Sequence, residues 1–252
     1  MGNFVYEVLE MDAASISIII AFAFIATFVQ RVTGFGFGIV IMVVLPYLMP
    51  SYSEATALSG LLAIVCNLGA GIQVYKYLPW RKLVVILITF TIFSYLAIEA
   101  VASINTECMK KILGAVLILV SIYFFFLNGK FKMKPSIPVQ LGMGSISGIM
   151  GGMFGMQGPP AVIYFISCTD DKDEYMALTQ FYFILGNIAM TAFRAGNGFI
   201  TPGVGSCFLY GFPAVIAGLI VGAKVYAVMP ASLIRKIVYV FLGVAGLAAL
   251  IS

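Results

Sequence analysis

The chain has 252 residues, 62% of them hydrophobic and only 10% charged, with a mean hydropathy of +1.09. Soluble globular domains run at roughly half apolar and a quarter charged, so composition excludes that class and points to an all-α membrane protein with many crossings. The net charge of +4 is modest and lies in loops, where it bears on membrane orientation and not on nucleic acid.

Ahead of the first apolar run stand Glu7, Glu10 and Asp12, the reverse of the basic region of a signal peptide, so no cleaved leader is expected. Full-length apolar spans are expected at about 13–31, 54–74, 83–104, 109–128, 136–153, 175–195, 203–228 and 232–251. Glycine clusters follow two of them, at Gly34-Phe35-Gly36-Phe37-Gly38 and from Gly151 to Gly158, the latter running into Pro159-Pro160. Each leads into a short apolar piece, about 36–49 and 158–168. At 1.5 Å per residue these reach only about 20 and 17 Å, short of the roughly 30 Å hydrocarbon core.

Basic residues decide how the breaks are threaded. If each break turns the chain around, Arg31, Lys76, Arg81, Lys82, Lys130, Lys132, Lys134, Lys172, Lys224, Arg235 and Lys236 fall on the cytoplasmic side. Only Lys110, Lys111 and Arg194 of the 14 cations then lie outside. Continuous crossings would split the cations almost evenly and strand Arg31 in the membrane, so the positive-inside rule favours reversal. Both termini then lie outside. Five segments per half, an odd number, makes the halves inverted repeats: 1–129, a linker at 130–138 with three lysines and two prolines, and 139–252. Internal spacing agrees. Glu54 and Asn67 precede Glu174 and Asn187 by 120 residues, and Gly34 and Gly38 precede Gly155 and Gly158 by 121 and 120.

Short interrupted segments at matching places in two halves mark a transporter's binding site. Glycine permits unusual backbone and close approach to a ligand. Helices starting at Gly36 and Gly158 would turn unpaired N–H groups and positive dipole ends toward an anion. The competing reading is that these glycines only let helices pack closely. Gln30, Arg31, Thr33 and Gln157 flank the breaks. Arg31 either partners an anion or anchors the hairpin at the interface. Asn67 and Asn187 either contact substrate or join neighbouring helices, and Thr56, Ser59, Thr179 and Gln180 add polar groups on the same elements. Arg194, two turns after Asn187, either steers anions at the outer mouth or ends its helix. Glu99 is the carboxylate deepest in an apolar span and the candidate for proton coupling, or else an interfacial residue. The 21 Phe and 13 Tyr read as lipid-facing and interfacial material, and Trp80 as an interface anchor.

Histidine is absent, which removes Ser–His dyads, HExxH metal sites and histidine relays, and no nucleophile–base pair points to an enzyme. There is no GxxxxGK[ST] phosphate loop. The four cysteines, Cys66, Cys108, Cys168 and Cys207, lack CxxC spacing and read as free thiols. No cofactor or metal is expected.

Gly34-Phe-Gly-Phe-Gly-Ile, Leu45-Pro46, Glu54-Ala55-Thr56-Ala57, Asn67 and Trp80-Arg81 together resemble the sulfite exporter TauE/SafE family of permeases. The second half repeats the pattern from Gly148 through Gly158-Pro159-Pro160 to Asn187. The resemblance implies a secondary transporter in the cell membrane that moves sulfur-containing anions such as sulfite, sulfoacetate or related sulfonates outward. The residues it carries over are the glycine breaks and their polar flanks. An anion channel or an importer of another small organic anion uses the same features, and a monomer and a homodimer are equally compatible with them.

Overall fold

The computed structural model describes residues 12–101, 103–123 and 135–226. Among them all regular structure is helical, as an apolar chain without water to satisfy its backbone requires. Helix α1 (Ala13–Thr33) starts where the Asp12 carboxylate accepts from Ser15 N at 3.2 Å, and stops at Gly34, whose φ of 85° turns the chain left-handed. Two short helices follow, α2 (Phe37–Ile41) and α3 (Leu45–Leu48). The stretch 36–49 is therefore not one half-helix. Pro46 has no N–H to continue the ladder from α2, and sits instead in the first turn of α3.

Helix α4 (Tyr52–Gly71) opens on Ser51, which accepts from Glu54 N at 3.2 Å. A 3-10 turn at Tyr75–Tyr77 leads to α5 (Trp80–Val101), and Asn105 caps α6 (Thr106–Ile122). Then come α7 (Ile137–Phe154), ended by a left-handed Gly155, and α8 (Gly158–Cys168), with Pro159 and Pro160 in its first turn. Helix α9 (Lys172–Gly196) is capped by Asp171, which accepts from Glu174 N at 2.7 Å. Thus Ser51–Glu54 and Asp171–Glu174, 120 residues apart, start α4 and α9 in the same way. Last is α10 (Pro202–Tyr226). The expected span 232–251 and most of the linker 130–138 lie outside the described residues, although helix α7 already includes residues 137 and 138.

Glycine seams fix the packing. A Cβ at Gly144, Gly148 or Gly152 of α7 would lie 2.8 Å or less from Ile86 O, Phe90 O or Ser94 O of α5, so these helices touch backbone to backbone and run parallel. Gly218 and Gly222 of α10 meet Phe24–Thr27 and Phe28–Arg31 of α1 in the same way, also parallel. Leu62 and Gly69 of α4 meet Gly211 and Leu219 of α10, again parallel. Gly60 faces Thr191 and Arg194 while Gly71 faces Ile184, so α4 and α9 are antiparallel. Lys82 pairs with Glu174 at 2.6 Å, Phe90 with Tyr182 and Tyr95 with Phe193, which sets α5 parallel to α9. Helices α1, α4 and α10 therefore run one way, and α5, α7 and α9 the other. Since α1 and α4 share a direction, α2 and α3 make the return between them, and α8 makes the return between α7 and α9.

Among the described residues five helices, α1, α4, α5, α9 and α10, are long and apolar enough to cross a membrane. Within their apolar windows α4 and α9 are 67% and 61% buried, whereas α1, α5 and α10 are 33–39% buried. The first two are the centre of the bundle. The others leave Ile88, Leu96, Leu209 and Ile220 more than half exposed, a surface made for lipid chains and not for water. The chain is a multi-pass membrane protein.

Candidate functional site

The two glycine breaks meet. A Cβ at Gly38 would overlap the Gly155 carbonyl oxygen, so any side chain there forces the breaks apart. Around this contact lies a small cleft, walled by 36–39 from the first break, 155–158 from the second, and Ala63, Asn67, Phe183 and Asn187 from α4 and α9. The central helices contribute in register: Ala63 and Asn67 stand 120 residues before Phe183 and Asn187.

Four amide side chains furnish the cleft, and the protein already uses part of each. Gln30, buried at the end of α1, donates from Nε2 to Asn67 Oδ1 at 2.6 Å and accepts from Phe37 N at 2.9 Å. It ties the first break to α4 and caps α2. Asn67 thereby commits its Oδ1 and keeps its Nδ2 as a donor. Gln157 donates from Nε2 to Phe183 O at 3.3 Å, and Asn187 Nδ2 reaches the same carbonyl at 2.8 Å. Gln157 Oε1 is buried without a donor, and it packs where Gly186 has no side chain. Behind the second break Ser147 donates to Gln157 O and accepts from Tyr182 OH at 2.8 Å. Gln180 Nε2 donates to Gly34 O at 3.1 Å, joining α9 to the first break.

No charged side chain among the described residues lines the cleft, so a bound anion there would be held by dipoles. In α2 the first ladder bond is Val40 N to Gly36 O, which leaves the N–H groups of Gly38 and Ile39 without an intrahelical acceptor. At α8 the two prolines occupy the second and third positions, so Gly158 and Ala161 carry the only N–H groups of its first four residues.

Of the sequence-selected residues, Gln30, Gly36, Gly38, Asn67, Gly155, Gln157, Gly158 and Asn187 converge on the cleft. Gly34 and Thr33 lie behind it. Thr33 Oγ1 donates within the turn, to Val29 O at 2.9 Å or Phe35 O at 2.6 Å. Arg31 stands apart, with Nη2 on Gln73 Oε1 at 2.9 Å and its stem against Gly222 of α10. Glu99 is exposed on the last turn of α5 and accepts from Asn197 Nδ2 at 2.7 Å. Arg194 is wholly buried next to the cleft but does not line it. Phe183, Ser147, Tyr182 and Gly186 were not singled out by sequence. The 120-residue spacing would have found Phe183 through Ala63, but nothing local marks the others.

The family model described as Sulfite exporter TauE/SafE matches residues 19–249. A curated relative from Cupriavidus necator, "Probable sulfite/organosulfonate exporter TauE", is 22% identical over 205 residues, covering 79% of this chain and 79% of its own length. No solved structure matches the chain significantly.

Proposed function

The chain belongs to the sulfite exporter TauE/SafE family, and on that premise we propose that it is a secondary transporter exporting small sulfur-containing anions, such as sulfite, sulfoacetate or another organosulfonate. The substrate sits in the cleft between the two breaks, near mid-membrane, held by Asn67 Nδ2, the free N–H groups of the first turns of α2 and α8, and the Gln157 and Asn187 amides. The observation that carries this reading is the contact of Gly38 with Gly155, which puts both breaks and both repeat-related asparagines around one cleft. A site of uncharged dipoles suits transport, since it replaces part of an anion's hydration without holding it too tightly to leave.

The same proposal includes inverted repeats with both termini outside. The swapped pairing supports it: α1 packs on α10 as α7 packs on α5, α4 faces α9, and the pairs α1 and α7, α4 and α9, α5 and α10 each run in opposite directions. Alternating access follows from rocking one repeat against the other across the Gly38–Gly155 contact.

The test is sulfite flux in proteoliposomes. Wild type should show saturable uptake with counterflow, where a channel gives neither. Gly158→Val should remove transport while the protein stays folded, because the nearest atoms to a Cβ there belong to the Phe183 and Phe35 side chains, at 3.6–3.8 Å. Undiminished flux in that variant would remove the cleft from the pathway.

A further inference from the structure

Arg194 has no exposed surface, yet no carboxylate among the described residues pairs with it. Its Nη2 donates to Gly151 O at 3.0 Å and Gly152 O at 3.4 Å, in the last turn of α7. Nε and Nη1, equally buried, have no acceptor among the described residues. The acids on neighbouring helices are engaged elsewhere: Glu54 with Ser51 and Thr201, Glu99 with Asn197, Glu174 with Lys82. The C-terminal end of α7 offers only about half a negative charge. A buried cation left with that much compensation is costly in a bilayer.

The groups around it are donors. Thr191 Oγ1 and Arg194 Nη1 each lie 3.1 Å from where a Cβ of Gly60 would be. The hydroxyls of Thr191, Ser59 and Tyr52 are buried with no hydrogen-bond partner among the described residues. That is unusual in this chain, where Thr27, Thr89, Thr91, Ser145 and Thr179 all donate to the carbonyl one turn back. Ser59 Oγ also lies 3.5 Å from the Cβ position of Gly155, and so reaches toward the wall of the cleft.

We propose that Arg194, with the Thr191 hydroxyl beside it at Gly60 and the buried hydroxyls of Ser59 and Tyr52 on α4, forms a second anion site for one small oxyanion, separated from the cleft by the Gly151–Gly155 end of α7. It supplies the positive charge that the cleft lacks and holds the anion between the cleft and the membrane face where α4 begins and α9 ends. The charge and donor set define the ligand as an oxyanion, and its identity as substrate in transit rests on the transport reading above.

The test uses purified full-length protein and reads thermal stabilisation by sulfite, sulfate and chloride, so it does not depend on transport. Tyr52→Phe and Thr191→Val should fold as well as wild type, since removing an unpartnered buried hydroxyl is neutral or stabilising. Each should nonetheless raise the half-saturating concentration of the stabilising anion about three- to tenfold. Gly60→Ala, which places a methyl against both Nη1 and Thr191, should do the same with Arg194 intact. Arg194→Lys should keep part of the effect. If wild type gains nothing from any of the three anions, or if Tyr52→Phe, Thr191→Val and Gly60→Ala all match wild type, Arg194 only caps α7 and the second site is refuted. Anion stabilisation that depends on these residues, in a protein that carries no sulfite flux, would uphold the site and overturn the transport reading alone.

Discussion

Gln30 shows how one side chain can connect a helix end, a backbone break and a neighbouring helix. Its carbonyl oxygen receives the first N–H of α2 and its amide nitrogen engages Asn67, so the residue makes the break rigid without facing it with charge. Gln30→Leu strands Phe37 N–H and Asn67 Oδ1 in a water-poor interior, with an expected cost of about 2–4 kcal/mol for two unsatisfied groups. Chemical unfolding in detergent measures it, and an unchanged midpoint would mean that water replaces both bonds. Arg31 is the useful contrast. In sequence it is the cation nearest the first break, yet it turns to Gln73 and α10 and does not line the cleft. Arg194, farther from either break in sequence, is the cation that approaches the cleft. Local spacing says which turn a residue occupies but not which neighbour covers that turn.

At the scale of elements, the glycine seams carry the assembly. Without a hydrophobic drive between helices in lipid, close backbone approach supplies the packing. Gly148 shows the requirement: a Cβ there would sit 2.6 Å from Phe90 O and 2.8 Å from Phe93 Cβ. Gly148→Val should push α7 off α5 and destabilise the fold by about 3 kcal/mol or more, the upper range of overpacking. Gly142, on the same helix, has nothing within 4 Å of its Cβ position, so Gly142→Ala should be neutral or stabilising by up to about 1 kcal/mol. Comparing the two by thermal unfolding separates packing from helix propensity, and equal effects would contradict the seam. The glycines of the sequence thus divide between turns and close packing. Gly34, Gly36 and Gly155 hold left-handed turns, Gly38 allows the breaks to touch, and Gly144, Gly148 and Gly152 seat a helix.

For the whole molecule, direction is the main result. Among the described residues the hydrophobic pattern placed the long apolar runs within a few residues of the helix bounds. Loop cations predicted a reversal at each break, and helix contacts show α1 parallel to α4 and α7 parallel to α9, as a reversal requires. Single cysteines placed at 76–82 or 130–134 should react with impermeant reagents from the cytoplasmic side alone. The exposed Cys108 must first be replaced by serine to clear the background. Reaction from outside at either loop would overturn the proposed orientation.

The sequence by itself determined that this chain lives in a membrane, where it crosses, where it breaks and to which family it is akin. Those properties follow from transfer energies, backbone restrictions and motifs that act over a few residues. Only the tertiary structure decided that Gly38 lies on Gly155, that Asn67 and Asn187 share one cleft, and that Arg194 is buried among hydroxyls with no acid to meet it. Each of those depends on how helices more than 100 residues apart rotate against one another. That rotation is set by the joint fit of seams such as Gly144–Gly152 on α5 and Gly218–Gly222 on α1, which no single stretch of sequence contains.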